Sequence, residues 1–469
     1  MTEHALPAGP PPVAVRVATA AQKLRFRRAL TLLAMTMVLP GSAQLVAGSR
    51  RMGLMAVRCA LVLLALVVVV GVIGWVDRGF VLGLATDTRV LQSARILLMA
   101  LTVGWVLLLL DAWRLGRPPT LSRRPRLALA GVSTVLVAVV SSLLLFSAHV
   151  VAVQRDFILS VFGTGAAAEA VDGRYTVLLL GGDSGPGRWG VRPDSITLAS
   201  IDADTGRTVL FGLPRNLADV PFPDGSPMDE RFPDGFDCEG CYLNGVYTYA
   251  LAHPTLFPGE NNPGLAATRQ AVEAITGLPV NYYAMVNLKG FTRLVDAVGG
   301  VTVKVTEPVA IGGGASEVAD TIDPGTQHLD GFETLWFARS RAYDDDYSRM
   351  ARQKCVMNAM LHQLSPRQVL LNVQEIADAS KELLSTDIPG SELDRFVDLA
   401  LKARTEPIST VSFVPPMITT EDPDYDLIRT KVDDALAKAE GEKPSGGSGA
   451  DGKPKNRSAN SSTDLAAAC

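Results

Sequence analysis

The chain has 469 residues, enough for two or three structural units, and its formal net charge at pH 7 is −4. The charge is unevenly spread, because the first 153 residues hold sixteen Lys and Arg against four acids, which leaves a formal charge of −16 for residues 154–469. A domain this acidic repels polyanions at long range, so we expect no nucleic acid partner, and any phosphate must be bound by a local group of Arg.

Three apolar stretches in the N-terminal third predict membrane spans. A helix needs about 20 mostly apolar residues to cross the hydrocarbon core of a bilayer. The stretches that meet this requirement are Leu54–Val76, Leu91–Trp113 and Leu127–Val153. A fourth apolar segment, Ala29–Val46, is broken by Pro40-Gly41 and has basic residues on both sides, so we interpret it as an interfacial or re-entrant helix.

The distribution of basic residues predicts the orientation of these spans. Lys and Arg are frequent before the first span and after the second, whereas the loop after the first span has only Arg78 and Arg89, offset by Asp77 and Asp87. Cytoplasmic loops are enriched in Lys and Arg, which predicts a cytoplasmic N-terminus and an extracytoplasmic segment from residue 154 onwards. The chain is therefore expected to be a multi-pass protein of the cell membrane, in direct contact with the lipid bilayer.

The chain is predicted to divide into five segments. These are a basic cytoplasmic segment (1–53), three spans (54–153), a linker (154–173), a mixed α/β domain (174–435) and a Gly-, Ser- and Lys-rich disordered tail (436–469). Strands are predicted at Tyr175–Leu180, Ile196–Ile201, Thr208–Leu213, Tyr282–Val286, Val301–Val305 and Ile408–Val414. Helices are predicted at Ala266–Thr276 ending at Gly277, Phe291–Ala297, Phe332–Ala338, Arg349–Leu364, Gln368–Leu384 and Leu393–Ala403.

A CxxC motif lies in the predicted extracytoplasmic domain. Cys238 and Cys241 are expected to form a disulfide, because that space is oxidising. A zinc site needs two more ligands, for which His253 is the nearby candidate, and free thiols are the remaining alternative. A thioredoxin-like role is disfavoured, because the motif does not open a helix after a strand. Cys355 lies on an apolar helix and is interpreted as a core residue.

Two aspartates flank a glycine-rich turn after the first predicted strand. Asp183 ends that strand and Asp194 begins the next, so the two carboxylates can meet. One or two carboxylates with open positions suit Mg²⁺, which completes its shell with phosphate oxygens. The alternative is that both are ordinary turn residues, since Asp favours turns. A nucleotide-binding loop is disfavoured, because no Gly-Lys-Ser is present and a strand rather than a helix follows.

Several arginines are clustered in the segment from residue 339 to residue 353. Arg339 and Arg341 alternate, so they point the same way if that stretch is extended. Arg349, Arg352 and Gln353 are spaced i, i+3 and i+4 and therefore share one face of the next helix. Arg suits bidentate contacts to phosphate. The alternative is a salt-bridge patch with the neighbouring run 344–346 of three Asp.

In combination these pieces resemble the LytR-CpsA-Psr family. The stretches that carry the resemblance are VLLLGGDSGPGRWGVRPDSITLASID, TVLFGLPRN, ITGLPVNYYAMVNLKGFTRLVDAVGGVTV, HLDGFETLWFARSR and DDDYSRMARQKCVMNAMLHQL. They cover roughly residues 175–415 in the family's order, and the three preceding spans resemble one branch of it in high-GC Gram-positive bacteria.

The resemblance implies a central mixed sheet flanked by helices, with a long apolar pocket for a polyprenyl chain. It implies transfer of a glycopolymer phosphate from a polyprenyl diphosphate carrier to peptidoglycan, usually to the 6-hydroxyl of N-acetylmuramic acid, with Mg²⁺ or Mn²⁺. By motif, the metal ligands are Asp183 and Asp194. A carboxylate near the metal can accept the sugar hydroxyl proton, and Asp194 is our candidate for this role. By motif, the diphosphate ligands are Arg192, Arg215, Arg339, Arg341 and Gln353, with Arg349 nearby; of these, Arg215, Arg339 and Arg341 are also expected to act in catalysis.

Two positions depart from the family pattern. Asn216 stands where an Asp is common, which removes a charge and disfavours this residue as the base. Tyr242 stands where a Lys is common, which removes one expected cation. Two other functions use the same residues: a polyprenyl diphosphate phosphatase, in which water replaces the sugar hydroxyl, and a non-enzymatic membrane-anchored regulator or lipid sensor.

Overall fold

The computed structural model describes residues 13–76, 78–163, 167–183, 192–313, 317–363, 384–441 and 465. It divides into two compact units, Met1–Arg155 and Asp156–Cys469. The division falls two residues after the predicted end of the spans, inside a long helix that continues into the second unit.

The first unit is helical. Its helices are α1 (Val13–Val38), α2 (Ser42–Ala47), α3 (Arg50–Val76), α4 (Arg78–Thr86), α5 (Thr88–Leu115) and the greater part of α6 (Arg123–Val161). Among the described helices, α3, α5 and α6 are long and apolar enough to cross a membrane, and they contain the three predicted spans. On α3, Val62 and Val67 are 67% and 68% exposed. Such a surface is stable in hydrocarbon, where a helix satisfies its own backbone hydrogen bonds.

The fourth apolar segment folds as two helices rather than one. α1 ends at Val38, because the residue before Pro40 is restricted to extended conformations, and Gly41 then adopts a positive φ of 93° as the N-cap of α2. In the second half of α1, Leu33 is fully buried in a cluster that includes Leu109 of α5. α1 is not among the helices long and apolar enough to cross, and its interfacial or re-entrant placement stays a prediction.

The second unit is a mixed α/β domain. Its strands are β1 (Arg174–Asp183), β2 (Arg192–Asp202), β3 (Thr208–Leu213), β4 (Tyr282–Asn287), β5 (Val301–Val305), β6 (Val309–Gly312), β7 (Val318–Ile322), β8 (Gly325–Leu329), β9 (Leu384–Thr386) and β10 (Ser409–Ser412). Its helices are α7 (Pro227–Arg231), α8 (Leu243–Ala252), α9 (Pro263–Thr276), α10 (Leu288–Ala297), α11 (Gly331–Arg339), α12 (Asp346–Gln363), α13 (Leu393–Ala403) and α14 (Tyr425–Glu440). The predicted α/β class is confirmed.

A six-stranded mixed sheet organises the domain, in the order β10-β3-β2-β1-β4-β9. β1 pairs antiparallel with β2 and parallel with β4, and β2 pairs antiparallel with β3, so the predicted hairpin is confirmed. One face packs against α8, α9 and α14 to form the main hydrophobic core. A smaller core joins α10, α11 and α12 to the two-stranded sheets β5-β8 and β6-β7. Helices therefore lie on both sides of the central sheet.

Three predictions need correction or lie outside the described residues. The predicted helix Gln368–Leu384 falls on residues 364–383, outside the described part, and its last residue instead begins β9. The start of the predicted tail is wrong, because α14 continues to Glu440 and ends where Gly441 adopts a positive φ. Leu465, also assigned to the tail, is 1% exposed and donates its N–H to the Ile408 carbonyl at 2.9 Å.

Candidate active site

A cavity of about 970 Å³ lies between the central sheet and helices α10, α11 and α12. Strand alternation produces it, since successive side chains of a strand point to opposite faces. Leu178 of β1 is buried in the main core, whereas Leu179 and Gly181 line the cavity; Leu180 belongs to the main core and also contributes to the lining. The side chains of β2 and β4 also alternate between the core and the cavity. One face of the neighbouring strands β2, β1 and β4 therefore forms the floor of the cavity.

One part of the cavity is apolar. Phe291 of α10, Leu335 of α11, and Val356, Met357 and Met360 of α12 face the floor. The predicted apolar runs are thus divided between pocket and core: Ala284 and Val286 line the cavity, whereas the run 294–298 contributes Val295 to the smaller core. Sequence patterning does not separate these roles, because a core and an apolar pocket both require buried apolar residues.

The other part of the cavity is cationic. Five arginines line it, and Asp194 is the only carboxylate among the described lining residues. The arginines are Arg192, Arg215, Arg339, Arg341 and Arg349. This local excess of positive charge lies in a domain whose overall charge is negative, so the binding of an anion depends on this cluster.

Asp194 reaches the cavity because β2 carries a bulge. Ser195 pairs with Gly181 and Pro193 pairs with Gly182, which leaves Asp194 as the extra residue between two ladder positions. Bulges redirect side chains and are frequent next to active sites. The Arg215 guanidinium donates to Asp194 Oδ1 at 2.5 Å, and Arg349 Nη1 donates to the Asp194 carbonyl at 2.7 Å. Two arginines from different elements therefore fix the bulge.

Asp346, at the start of α12, connects three of the arginines. It accepts from Arg349 Nη2 at 2.9 Å and Arg349 Nε at 3.2 Å, and it lies 3.4 Å from both Arg215 Nε and Arg341 Nη1. Burial acts to raise the pKa of the Asp346 carboxyl, but the bonds to Arg349 and the charges of Arg215 and Arg341 outweigh it and hold that pKa below its ordinary value. The carboxylate stays charged and organises the cluster.

The pKa of Arg341 shows how closely the positive charges are packed. Burial and the neighbouring charges of Arg215 and Arg349 lower the pKa of the Arg341 guanidinium, against the opposite pull of Asp346 and Asp194. An Arg remains protonated in proteins, so the lowered pKa reflects the cost of holding this charge in a partly buried position, first through desolvation and then through the nearby arginines. An anion in the cavity relieves that repulsion.

Two further ligand candidates are held from neighbouring elements. Arg192 Nη2 donates to Asn244 Oδ1 on α8 at 3.2 Å. Gln353 Oε1 accepts from Ser195 Oγ at 3.1 Å, and Gln353 Nε2 donates to the Ala338 carbonyl at 3.2 Å. These bonds fix both side chains before any ligand arrives, which is the condition for preorganised binding.

The geometry of Arg339 and Arg341 differs from the predicted alternation. Arg339 is the last residue of α11, Ser340 is its extended C-cap and Arg341 follows in a loop, so the stretch is not a strand. The capping box of Asp330 and Glu333 starts the helix and so sets its frame. The Arg339 guanidinium lies 5.0 Å from the centre of the Trp336 ring, and both arginines nevertheless line the cavity.

The structure brings all the predicted diphosphate ligands to one cavity together with Asp194. Asp183 ends β1 opposite Arg192 in the ladder, and its side chain lies outside the described part. Among the described residues, no group of three or more His, Cys, Asp or Glu is placed to hold a metal, so two carboxylates would have to act with ligand oxygens. Sequence reasoning missed Asn244 as a site residue, and it predicted Asp346 only as one of three Asp in a salt-bridge run; the spacing of Asp346 three positions before Arg349 was the available signal for its role.

A buried lysine lies close behind the site. Lys354 on α12 lines a smaller cavity together with Asp194, Arg349 and Gln353. It is 8% exposed, its ammonium donates to Thr410 Oγ1 at 3.3 Å, and burial lowers the pKa of Lys354 to about 8. Burial of this charge is unfavourable, because an ammonium has three donors and only one of them makes a hydrogen bond within the described part of the chain.

Cys238 and Cys241 are joined by a disulfide in the loop before α8. His253, the nearby candidate for a zinc ligand, instead stacks on the Tyr249 ring at 4.2 Å and shares a hydrogen bond with the Tyr249 carbonyl. Cys355, interpreted from sequence as a core residue, is buried in the smaller core.

The LytR_cpsA_psr family model matches residues 150–436. The chain is 26% identical over 238 residues to Biofilm regulatory protein A of Streptococcus mutans, covering 48% of this chain and 53% of that protein. It is 30% identical over 220 residues to the polyisoprenyl-teichoic acid–peptidoglycan teichoic acid transferase TagU of Oceanobacillus iheyensis, covering 46% and 60%. The chain thus spans less than two thirds of the length of these curated relatives. The crystal structure of B. subtilis TagV aligns with 58% of this chain and 100% of its own, at 22% identity and a TM-score of 0.42.

Proposed function

The chain belongs to the LytR-CpsA-Psr family, and from this premise we propose that it transfers a glycopolymer phosphate from a polyprenyl diphosphate carrier to a peptidoglycan hydroxyl, the 6-hydroxyl of N-acetylmuramic acid. The names of relatives such as TagU support the reaction class. The structural observation that supports it best is one cavity in which an apolar part adjoins a cluster of five arginines. A polyprenyl diphosphate has the matching two parts, an apolar chain and a charged head.

The apolar part of the cavity would hold the polyprenyl chain. Each methylene removed from water contributes about 0.8 kcal/mol, so a cavity of about 970 Å³ offers substantial lipid affinity. Met357 and Met360 suit this role, since unbranched thioether side chains adapt to irregular apolar ligands. The polyprenyl chain would bind along the floor of the cavity, to which Leu179 and Ala284 contribute.

The arginines would bind the diphosphate and stabilise its transition state. Arg349, Arg215 and Arg341 are gathered around Asp346, and Arg192 and Arg339 complete the lining. Phosphoryl transfer depends mainly on positioning and charge neutralisation, and donors fixed before the reaction cost no reorganisation while it proceeds. Guanidinium groups that are already in place therefore stabilise the negative charge that develops on the leaving phosphate.

The proposed step is a displacement at phosphorus. The acceptor hydroxyl oxygen attacks the phosphorus that carries the glycopolymer, the bond from this phosphorus to the bridging oxygen breaks, and polyprenyl monophosphate leaves. The hydroxyl proton passes to a carboxylate, for which Asp194 is the candidate: its Oδ1 accepts from Arg215, and its Oδ2 makes no hydrogen bond within the described part of the chain. Asn216 has no acidic group for this role; it donates to Thr420.

Mg²⁺, or Mn²⁺ in its place, would be held by Asp183 and Asp194 together with diphosphate oxygens. The donor set fits, because Mg²⁺ is usually bound by one or two carboxylates plus phosphate oxygens and waters. The backbone supports this pairing, since the two aspartates lie at the same end of adjacent strands. Bound there, the ion would supply charge neutralisation to the diphosphate.

We further propose that the N-terminus is cytoplasmic and that the α/β domain lies outside the membrane. The distribution of Lys and Arg supports this orientation. The Cys238–Cys241 disulfide is consistent with an oxidising compartment. Labelling single introduced cysteines with a membrane-impermeant maleimide in intact cells tests it: a position in exposed loop residues 421–424 should react, and one in loop 117–122 should not.

The function is tested with the full chain in nanodiscs, a polyprenyl diphosphate saccharide labelled in the sugar, Mg²⁺ and peptidoglycan fragments. We expect label on peptidoglycan, and its loss in the Arg215→Ala and Asp194→Ala variants. Release of free saccharide phosphate with acceptor in excess would show a phosphatase instead. Tight binding of the lipid without any turnover would leave a sensor.

A further inference from the structure

Tyr242 is an exposed aromatic residue in the cationic part of the cavity. It is 39% exposed and lines the cavity together with Arg192, Arg215 and Asn216. Within the described part of the chain, its hydroxyl has no hydrogen-bond partner and its ring has no aromatic or cation contact. Its ring therefore offers an open apolar contact surface beside the arginines.

The backbone around Tyr242 is held rigidly. The Cys238–Cys241 disulfide immediately precedes it, and helix α8 begins directly after it. Leu243 N–H donates to the Leu217 carbonyl at 3.0 Å, and Asn244 N–H donates to the Arg215 carbonyl at 3.0 Å. The two residues that follow Tyr242 are thereby bonded to the segment that carries Arg215, so the ring has a fixed starting point relative to the diphosphate site.

The faces of the ring are unsuited to the diphosphate; the hydroxyl can donate to phosphate, and Tyr242→Phe removes that group while keeping the ring. The faces of an aromatic ring carry negative potential, so they do not attract an anion. The faces do attract the weakly positive C–H groups of a sugar, and Tyr offers large, rigid contact area at a small cost in conformational entropy. In the proposed donor, the first sugar is bonded to the diphosphate and must lie next to the arginines.

We propose that Tyr242 stacks on the first saccharide ring of the donor and selects carriers that present a sugar there. This proposal rests on the proposed function, because that function supplies the donor. The arginines then provide affinity for the diphosphate of any polyprenyl carrier, whereas Tyr242 distinguishes a carrier bearing a saccharide from one without it.

The test is equilibrium binding of two ligands to the full chain in nanodiscs: a polyprenyl diphosphate saccharide and the sugar-free polyprenyl diphosphate. In the Tyr242→Leu variant, we expect about a tenfold weaker Kd for the saccharide ligand, and a change below about twofold for the sugar-free one. Tyr242→Phe should bind both like the unmodified chain, because it keeps the ring. Tyr343→Leu is the matched control: this tyrosine is 58% exposed and does not line the cavity, so neither Kd should change.

Equal weakening of both ligands in Tyr242→Leu would overturn the proposal, since it would indicate a role in shaping the diphosphate site. No change for either ligand would overturn it as well, and so would loss of saccharide binding in Tyr242→Phe. Because binding is measured rather than turnover, the result stands even if the chain does not catalyse transfer. A thermal midpoint matching that of the unmodified chain checks that each variant is folded.

Discussion

Removal of the Asp346 carboxylate should destabilise the protein and make its stability depend on phosphate. Asp346→Asn preserves the size of the side chain but leaves Arg215, Arg341 and Arg349 without their shared counter-charge. Breaking a buried ion pair costs about 3–5 kcal/mol, and the lower end applies because Arg341 is half exposed. For a unit of roughly 300 residues (Asp156–Cys469), about 3 kcal/mol corresponds to a fall in thermal midpoint of roughly 5 °C.

Pyrophosphate should reverse most of that loss. From the cavity that these guanidinium groups line, the anion can supply the negative charge that the side chain no longer carries, and a ligand at 100 times its Kd stabilises the folded state by about 2.7 kcal/mol. The assay is thermal unfolding of the full chain in detergent, with pyrophosphate titrated at constant ionic strength. An equal rise in midpoint for the unmodified and Asp346→Asn chains, or an unchanged midpoint without ligand, would refute the reasoning.

Asp344→Asn provides the matched control for this experiment. Asp344 pairs with Arg352, which also donates to the Phe337 carbonyl at 2.7 Å. Neither Asp344 nor Arg352 lines the cavity. This variant should lose stability, and pyrophosphate should raise its midpoint no more than it raises that of the unmodified chain.

Three other changes have definite expected outcomes. Arg215→Lys cannot bridge Asp194 and the α12 cluster, so kcat/KM for label transfer should fall by about 100-fold. Lys354→Met removes a buried ammonium whose pKa is about 8 instead of the ordinary 10.5, so it should stabilise the protein by up to about 3 kcal/mol at pH 7. The burial cost is fully present below pH 8 and fades as the pH rises to 10.5, so the gain measured by thermal unfolding should shrink over that interval. Serine at both Cys238 and Cys241 should cost about 2 kcal/mol, the estimate for a loop this short, in the same assay.

The sequence was sufficient for the elements whose signals are local. The apolar run of β1, the turn-separated hairpin β2-β3 and the helix that ends at Gly277 were predicted because periodicity and turn residues specify them directly. The helix α8 was not predicted, since no side chain caps its N-terminus and a disulfide loop precedes it. In the two smaller sheets β5 was predicted but β6, β7 and β8 were not; β7 and β8 are mostly exposed, so they lack the apolar run that marks a buried strand.

In the candidate site, too, features with a local sequence signal were predicted, and features that depend on the fold were not. The motif arginines were identified by resemblance, but the role of Asp346 depends on three partners from different elements, and only the fold brings them together. The Asp and Arg run forms the salt-bridge cluster that one sequence interpretation predicted, and several of its arginines line the cavity, where phosphate binding stays a prediction. The bulge at Asp194 likewise required the strand register.

The central claim is tested most directly by identifying which product carries each phosphate of the donor: the polyprenyl product or the modified acceptor. The full chain, in nanodiscs with Mg²⁺, is given a donor with distinguishable phosphates and a muramic-acid-containing acceptor, and the products are identified by mass spectrometry. The proposed displacement predicts one polyprenyl monophosphate for each new phosphodiester between the saccharide and the acceptor. Polyprenyl monophosphate released together with free saccharide phosphate, and without any phosphodiester on the acceptor, would contradict it.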